Sequence, residues 1–227
     1  MQFSRSTKLA LTAFLLTDIF LVVLLVSLYS MREERTLQNQ LREIGATIYA
    51  NPFEISNFSL IDQNNNEFNN ANFLGNWNLL FFGFTSCPDI CPITMAELGR
   101  FFNEWGQRNS HKPPRIILVT VDPETDSPEK MKEYLEGFSP EFIGLTGNRS
   151  SLQRVAEELF VAFDDADILG VESPGHNTHS NFANPSDYVI DHSSHISVIN
   201  PNGDLFAVMR PPHRARDISI AFRLISQ

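Results

Sequence analysis

Leu79-Leu80-Phe81-Phe82-Gly83-Phe84 is an unbroken apolar run of strand length, and Met95, Leu98, Phe101, Phe102 and Trp105 recur soon after it at spacings of three and four. A strand that is apolar at every position belongs at the centre of a sheet covered on both faces. The stripe that follows is one face of a helix that packs on it. Between the two lies Cys87-Pro88-Asp89-Ile90-Cys91-Pro92, which holds both cysteines of the chain. The junction of a buried strand with its helix is therefore where the chemistry is expected.

The rest of the chain extends the alternation. Phe53 to Leu60 followed by Asp62-Gln63-Asn64-Asn65-Asn66 reads as a short hairpin. Ile116 to Val121 is a second buried strand. Ser127-Pro128-Glu129 opens a helix, with serine as N-cap and proline at the first position. Phe142 to Leu145 is a short strand, and Ser150 caps a helix carrying Leu152, Val155, Leu159 and Phe163. A polar loop over 164–186 precedes a strand from Tyr188 to Ile199, which pairs with Leu205 to Met209 across the turn Asn200-Pro201-Asn202-Gly203. Ile218, Ala221, Phe222 and Ile225 mark a last helix. Strands joined by helices, then a hairpin and a final helix, give an α/β layer structure: a thioredoxin-like mixed sheet flanked by helices. There is no internal repeat and no nucleotide-binding glycine loop.

The front of the chain belongs to a membrane. Leu9 to Leu28 is apolar apart from Thr12, Thr17, Asp18 and Ser27. About twenty residues at 1.5 Å each span roughly 30 Å, the thickness of a hydrocarbon core. Their aliphatic and aromatic side chains contribute roughly −4 to −8 kcal/mol to insertion, against about 2.5–3.5 lost at Asp18. No small-x-small cleavage site follows, so the segment reads as one retained transmembrane helix rather than a signal peptide. Arg5 and Lys8 precede it, which places the N-terminus in the cytoplasm and the bulk of the protein outside. Only eight residues precede the span, too few for a mitochondrial transit peptide, so a bacterial inner membrane with a periplasmic domain is expected. Leu37, Leu41, Ile44 and Ile48 then suggest one helical stripe, a stalk.

Composition narrows the functions. The chain has 227 residues, of which 42% are hydrophobic and 19 are Phe, enough for a packed core. A net charge of −10 argues against nucleic acid, whose phosphates need clustered Lys and Arg. Two cysteines exclude both a disulfide-built scaffold and a four-cysteine zinc site. If the helix has begun by Cys87, the two lie on one face, and the free N–H groups and dipole of its first turn favour the thiolates. Such a pair can close to a disulfide or hold a soft metal such as Cu(I). As a mere staple it would close too short a loop to remove much chain entropy. Copper would need a third donor, and imidazole suits it.

Six histidines are candidates: His111, His176, His179, His192, His195 and His213. His192 and His195 stand out, but three residues apart on a regular strand they face opposite ways. Strand parity alone does not choose between them. His176 and His179 fall in the polar loop, where a solvated role is the default. Asp164, Asp165, Asp167 and Glu172 could steer a basic partner, a solvated face again being the default.

Three segments carry a resemblance. They are Phe82-Gly83-Phe84-Thr85-Ser86-Cys87-Pro88-Asp89-Ile90-Cys91-Pro92, then Thr120-Val121-Asp122-Pro123-Glu124-Thr125-Asp126-Ser127-Pro128, then Asp187-Tyr188-Val189-Ile190-Asp191-His192. With Phe138-Ser139-Pro140 and Gly144-Leu145-Thr146-Gly147 between them, the chain from Phe53 to Gln227 resembles the Sco/SenC proteins. These are membrane-anchored, thioredoxin-like copper-binding proteins implicated in assembling the copper centre of cytochrome c oxidase. The resemblance implies copper, as Cu(I) or Cu(II), held by Cys87, Cys91 and His192. It assigns Asp122 no ligand role. His195 and the longer loop over 167–185 depart from the family pattern.

The organisation this implies is a cytoplasmic N-terminus over 1–8, an anchor over 9–29, a stalk over 30–52 and a thioredoxin-like copper-binding domain over 53–227. The expected function is a metallochaperone, not an enzyme, with the copper-centre subunit of cytochrome c oxidase as partner. Another copper chaperone or a thiol reductant is a further candidate partner. The alternative is a thiol-disulfide oxidoreductase in which Cys87 and Cys91 are the redox pair that keeps a partner's copper-ligand cysteines reduced. Such a protein needs no His192, and thioredoxin motifs space their cysteines one residue closer. A third reading is a periplasmic scaffold with an inert disulfide.

Overall fold

A computed structural model describes residues 5–108, 112–164, 191–192 and 194–226, with the side chains of 5–13, 33–35, 163–164 and 191–192 left aside. The chain divides into two compact units, Met1–Glu43 and Ile44–Gln227. The first is a single helix, α1 (Arg5–Glu43), whose apolar residues from Phe14 to Met31 are exposed. It is long and apolar enough to cross a membrane, a property that spans and signal sequences share.

The helical stripe expected through Ile48 stops early. Gly45 turns to φ +77, and a Cβ there would meet the Arg210 carbonyl oxygen at 3.1 Å, so the chain leaves the helix where only glycine fits. Residues 46–53 become β1 (Ala46–Phe53), not a stalk. The spacing of Ala46 and Ile48 suits a strand as well as that of Ile44 and Ile48 suits a helix, and pairing with the sheet decides.

The second unit is built on one mixed sheet. Its strands are β1, β2 (Ser59–Asp62), β3 (Glu67–Asn69), β4 (Asn78–Gly83), β5 (Arg115–Thr120), β6 (Ile143–Thr146), β9 (Ile196–Ile199) and β10 (Leu205–Met209). A separate ladder joins β7 (Phe163–Asp164) to β8 (Asp191–His192). The sheet order is β1-β10-β9-β4-β5-β6-β2-β3. β4, β5 and β6 run parallel, and β9 and β10 continue the sheet antiparallel beside β4. The expected hairpins are present: Ser59 pairs with Asn69 across the 62–66 turn, and β9 pairs with β10.

β4 is buried along its length, as its apolar run requires. Alternation sends Leu80 and Phe82 to the face packed by α4 (Arg149–Glu158), through Leu152 and Val155. Phe81 and Gly83 face the other way, toward α2 (Ile90–Arg108). Phe101 and Trp105 of α2 pack on Phe222 of α5 (Ala215–Ile225), with ring centroids 5.9 and 4.9 Å apart. Beneath α3 (Pro128–Glu136), a Cβ on Gly144 of β6 would strike Leu135 and Met131, so this helix sits close on the sheet.

Ser127 caps α3 through Lys130 N–H with Pro128 behind it, as the sequence indicates. The cap of α4 is Asn148, which accepts from Ser151 N–H at 2.8 Å, and not Ser150. Both are good capping residues, and the helix starts two residues earlier than expected.

Candidate metal centre

Cys87 lies ahead of α2 and Cys91 in its first turn. The turn after β4 closes through Cys87 N–H donating to the Phe84 carbonyl at 3.2 Å, and α2 opens with Ile93 N–H donating to Asp89 at 3.4 Å. Pro92 falls within the first helical turn, where its missing N–H costs nothing. The two side chains meet across the loop end: neither cysteine is in a disulfide, and Cys87 hydrogen-bonds the Cys91 thiol. So the pair converges although only one member is helical.

The two thiols are not equivalent. Cys87 is partly exposed, while Cys91 is buried and backs onto β4, where a Cβ on Gly83 would lie 2.8 Å from its Sγ. The thiolate expected from the helix start does not hold for Cys91. Burial pushes its thiol well above the usual range, the Cys87 hydrogen bond adds to this, and a backbone hydrogen bond from Phe84 opposes it without prevailing. Desolvating a thiolate outweighs the helix end. A metal ion that takes the proton's place supplies the missing positive charge.

The loop is held from the side by Asp126, a fully buried carboxylate. Thr85 donates to it through N–H at 3.1 Å and Oγ1 at 2.5 Å, and Thr120 Oγ1 donates at 2.7 Å. Lys130 Nζ stands 3.8 Å from Asp126 and donates to Ser86 Oγ at 3.1 Å. Thr85 and Ser86, the two residues before Cys87, are thus tied to Asp126 ahead of α3 and to Lys130 within it. The sequence pattern does not mark Asp126 for this role. The nearest signal is an acid just ahead of a well-capped helix. Asp122 is buried and its N–H bonds Thr120 Oγ1 at 2.9 Å, a turn role.

The histidines separate. The single strand expected from Tyr188 to Ile199 is interrupted: β8 ends at His192, β9 begins at Ile196, and 188–190 lie outside the described residues. With no continuous strand joining them, strand parity does not set His192 and His195 on opposite faces. His195 Nε2 sits 3.1 Å from the Leu159 carbonyl, and His213, buried, sets Nε2 2.6 Å from the Ser194 carbonyl. Those contacts occupy one nitrogen of each ring in fixing the break. His192 stands opposite Phe163 in the β7–β8 ladder, and its imidazole is outside the described residues, as are His111, His176, His179 and the loop over 167–185. Among the described residues no three His, Cys, Asp or Glu side chains form a metal-holding cluster. Two sulfurs alone are on view, a soft-metal pair short of a third donor.

A thioredoxin-like sheet with a reduced Cys-x-x-x-Cys pair beyond the end of its central strand defines a class of thiol proteins that handle metal or disulfides. Residues 47–224 match the SCO1/SenC family model, and the chain belongs to that family. An SCO2-like protein of Rickettsia conorii is 34% identical over 202 residues, 88% of this chain and 87% of the relative. Yeast Sco1 solved with copper bound is 28% identical with a TM-score of 0.63, covering 78% of this chain and 88% of that one. Arabidopsis thaliana ScoI, also with copper bound, is 27% identical with a TM-score of 0.63 over 76% of this chain and 98% of that one. Sco proteins are copper-binding proteins involved in cytochrome c oxidase assembly.

Proposed function

We infer that this chain is a membrane-anchored copper metallochaperone that binds copper through Cys87, Cys91 and His192 and assists assembly of the copper centre of cytochrome c oxidase. The observation that carries this reading is the pair of thiols, not joined in a disulfide, that hydrogen-bond each other, one buried and one reachable. Copper enters from the Cys87 side. Each sulfur that binds it releases its proton, and Cys91, whose thiol resists ionisation in the apo protein, is ionised only with the metal present. His192 supplies the third donor from β8. The partner is the oxidase subunit that accepts the metal, reached from an anchor over 9–29 with the N-terminus in the cytoplasm and the domain in the periplasm. The test is Cu(I) titration of the full chain in detergent beside His192→Ala. The reading requires one copper per chain and a loss of roughly 10- to 100-fold in affinity in the variant. Equal affinity removes His192 from the ligand set.

The thiol contact also favours a second reading, a thiol-disulfide reductase. Joining the sulfurs as a disulfide releases two protons and two electrons, which reduce a partner disulfide to two thiols. The same oxidation abolishes the metal site, so the two activities exclude each other in time. Reduction of an oxidised partner peptide by the metal-free dithiol form would establish this one.

A further inference from the structure

Lys130 and Tyr134 lie one turn apart on α3, so they share a face, and Asp126 stands just ahead of them. The first members of this row are engaged with the cysteine loop: Asp126 through Thr85, and Lys130 through Ser86 Oγ at 3.1 Å. Tyr134 is the exception. Its ring packs edge-on against Phe138 at 5.1 Å, but its hydroxyl is buried with no hydrogen-bond partner among the described residues. Buried hydroxyls without partners are uncommon, because each gives up its bonds to water for nothing. One turn before it Lys130 reaches Ser86, and one turn after it Phe138 lies against α2, where a Cβ on Gly99 would sit 3.6 Å from the Phe138 carbonyl oxygen. Tyr134 stands between them, so it faces the front of α2, whose first turn holds Cys91. Burial first, then the charges of Cys91, Cys87 and Asp126 in that order, raise the phenol above its usual range.

We propose that Tyr134 is the outer donor of the copper site, its O–H hydrogen-bonding the Cys91 sulfur when that sulfur binds copper. This rests on the copper reading above. A neutral thiol is a weak acceptor, so the hydroxyl has nothing to answer it in the apo protein. A metal-bound sulfur carries negative charge and accepts well. By drawing electron density from the sulfur, the bond makes it a poorer partner for Cu(II) and so favours Cu(I).

The experiment compares wild type with Tyr134→Phe and Tyr134→Leu as full chains in detergent. It reads Cu(I) affinity by chelator competition, the sulfur-to-Cu(II) charge-transfer band, and the potential of the one-electron Cu(II)/Cu(I) couple at an electrode. The expected result for Tyr134→Phe is a shift of about tenfold in relative affinity toward Cu(II), a fall of about 59 mV. The band should move, and the apo protein should melt no lower than wild type. Tyr134→Leu should show the same spectroscopic change with poorer folding. An unchanged band and potential in Tyr134→Phe overturn the proposal while leaving the copper site standing, as does an apo form that melts well below wild type. Failure of the wild type itself to bind copper removes the reading underneath, and this proposal with it.

Discussion

Gly83→Ala probes the packing that seats Cys91. The added methyl would lie 2.8 Å from Cys91 Sγ, 3.1 Å from Phe81 Cε1 and 3.3 Å from Leu118 Cδ1. Ordinary contact begins near 3.4 Å, so the sulfur must retreat by about 0.6 Å (3.4 minus 2.8) even if the rings stay put. Overpacking of this kind costs about 1–3 kcal/mol. Replacing a strand glycine returns roughly 0.5–1 through lower chain entropy, leaving a net loss centred near 1 and no larger than about 2.5. For a domain of this size a loss near 1 is a fall of roughly 2–4 °C in Tm. A displacement beyond the roughly 0.5 Å that working sites tolerate also weakens copper binding. Thermal melts of the apo protein and Cu(I) competition, run together, read both effects. A variant that melts and binds like wild type would show that Gly83 does not set the sulfur's position, and the close approach would lose its meaning.

Two further perturbations follow from the same contacts. Asp126→Asn keeps the volume but removes the charge that takes three hydrogen bonds from Thr85 and Thr120 and faces Lys130, so urea unfolding should show a loss of about 2–3 kcal/mol. An unchanged midpoint would mean that the carboxylate does not hold the loop. His195 and His213 are both held below ordinary imidazole values by burial, with the Leu159 and Ser194 carbonyls opposing, and His195 lowers His213 further. Below about pH 6.5 the unfolded chain therefore binds more protons than the folded one. Their contribution is complete above that pH and is lost as pH falls toward the lowered folded values. Urea midpoints should fall as the pH is lowered through about 6.5, and less so in His213→Asn. A midpoint that rises on acidification contradicts the neutral pair.

Much of the site was readable because its local signals agree. An all-apolar strand, a proline-flanked cysteine pair and an amphipathic helix can be arranged in few ways, and Ser127-Pro128 and Asn200 to Gly203 punctuate the rest. What escaped reading depends on distant contacts. Ser193-Ser194-His195 continues a strand-like pattern, and the break there coincides with the ring contacts of His195 to Leu159 and His213 to Ser194. The Cys91 thiol looked acidic from its helix position, yet its burial against Gly83 comes from how the helix lies on the sheet. Ile44 and Ile48 fitted a helix until β10 offered β1 a partner. Asp126 and Tyr134 carry no pattern of their own and gain meaning only from what surrounds them. The third donor, by contrast, came from the resemblance, since spacing left His192 and His195 level.

X-ray absorption on the copper-loaded full chain counts the donors directly. With Cu(I) bound, the nearest atoms should be two sulfurs and one imidazole nitrogen. His192→Ala should lose the imidazole signal, and Cys91→Ser should lose one sulfur. A shell of nitrogen and oxygen alone, or an imidazole signal unchanged in His192→Ala, would contradict this ligand set.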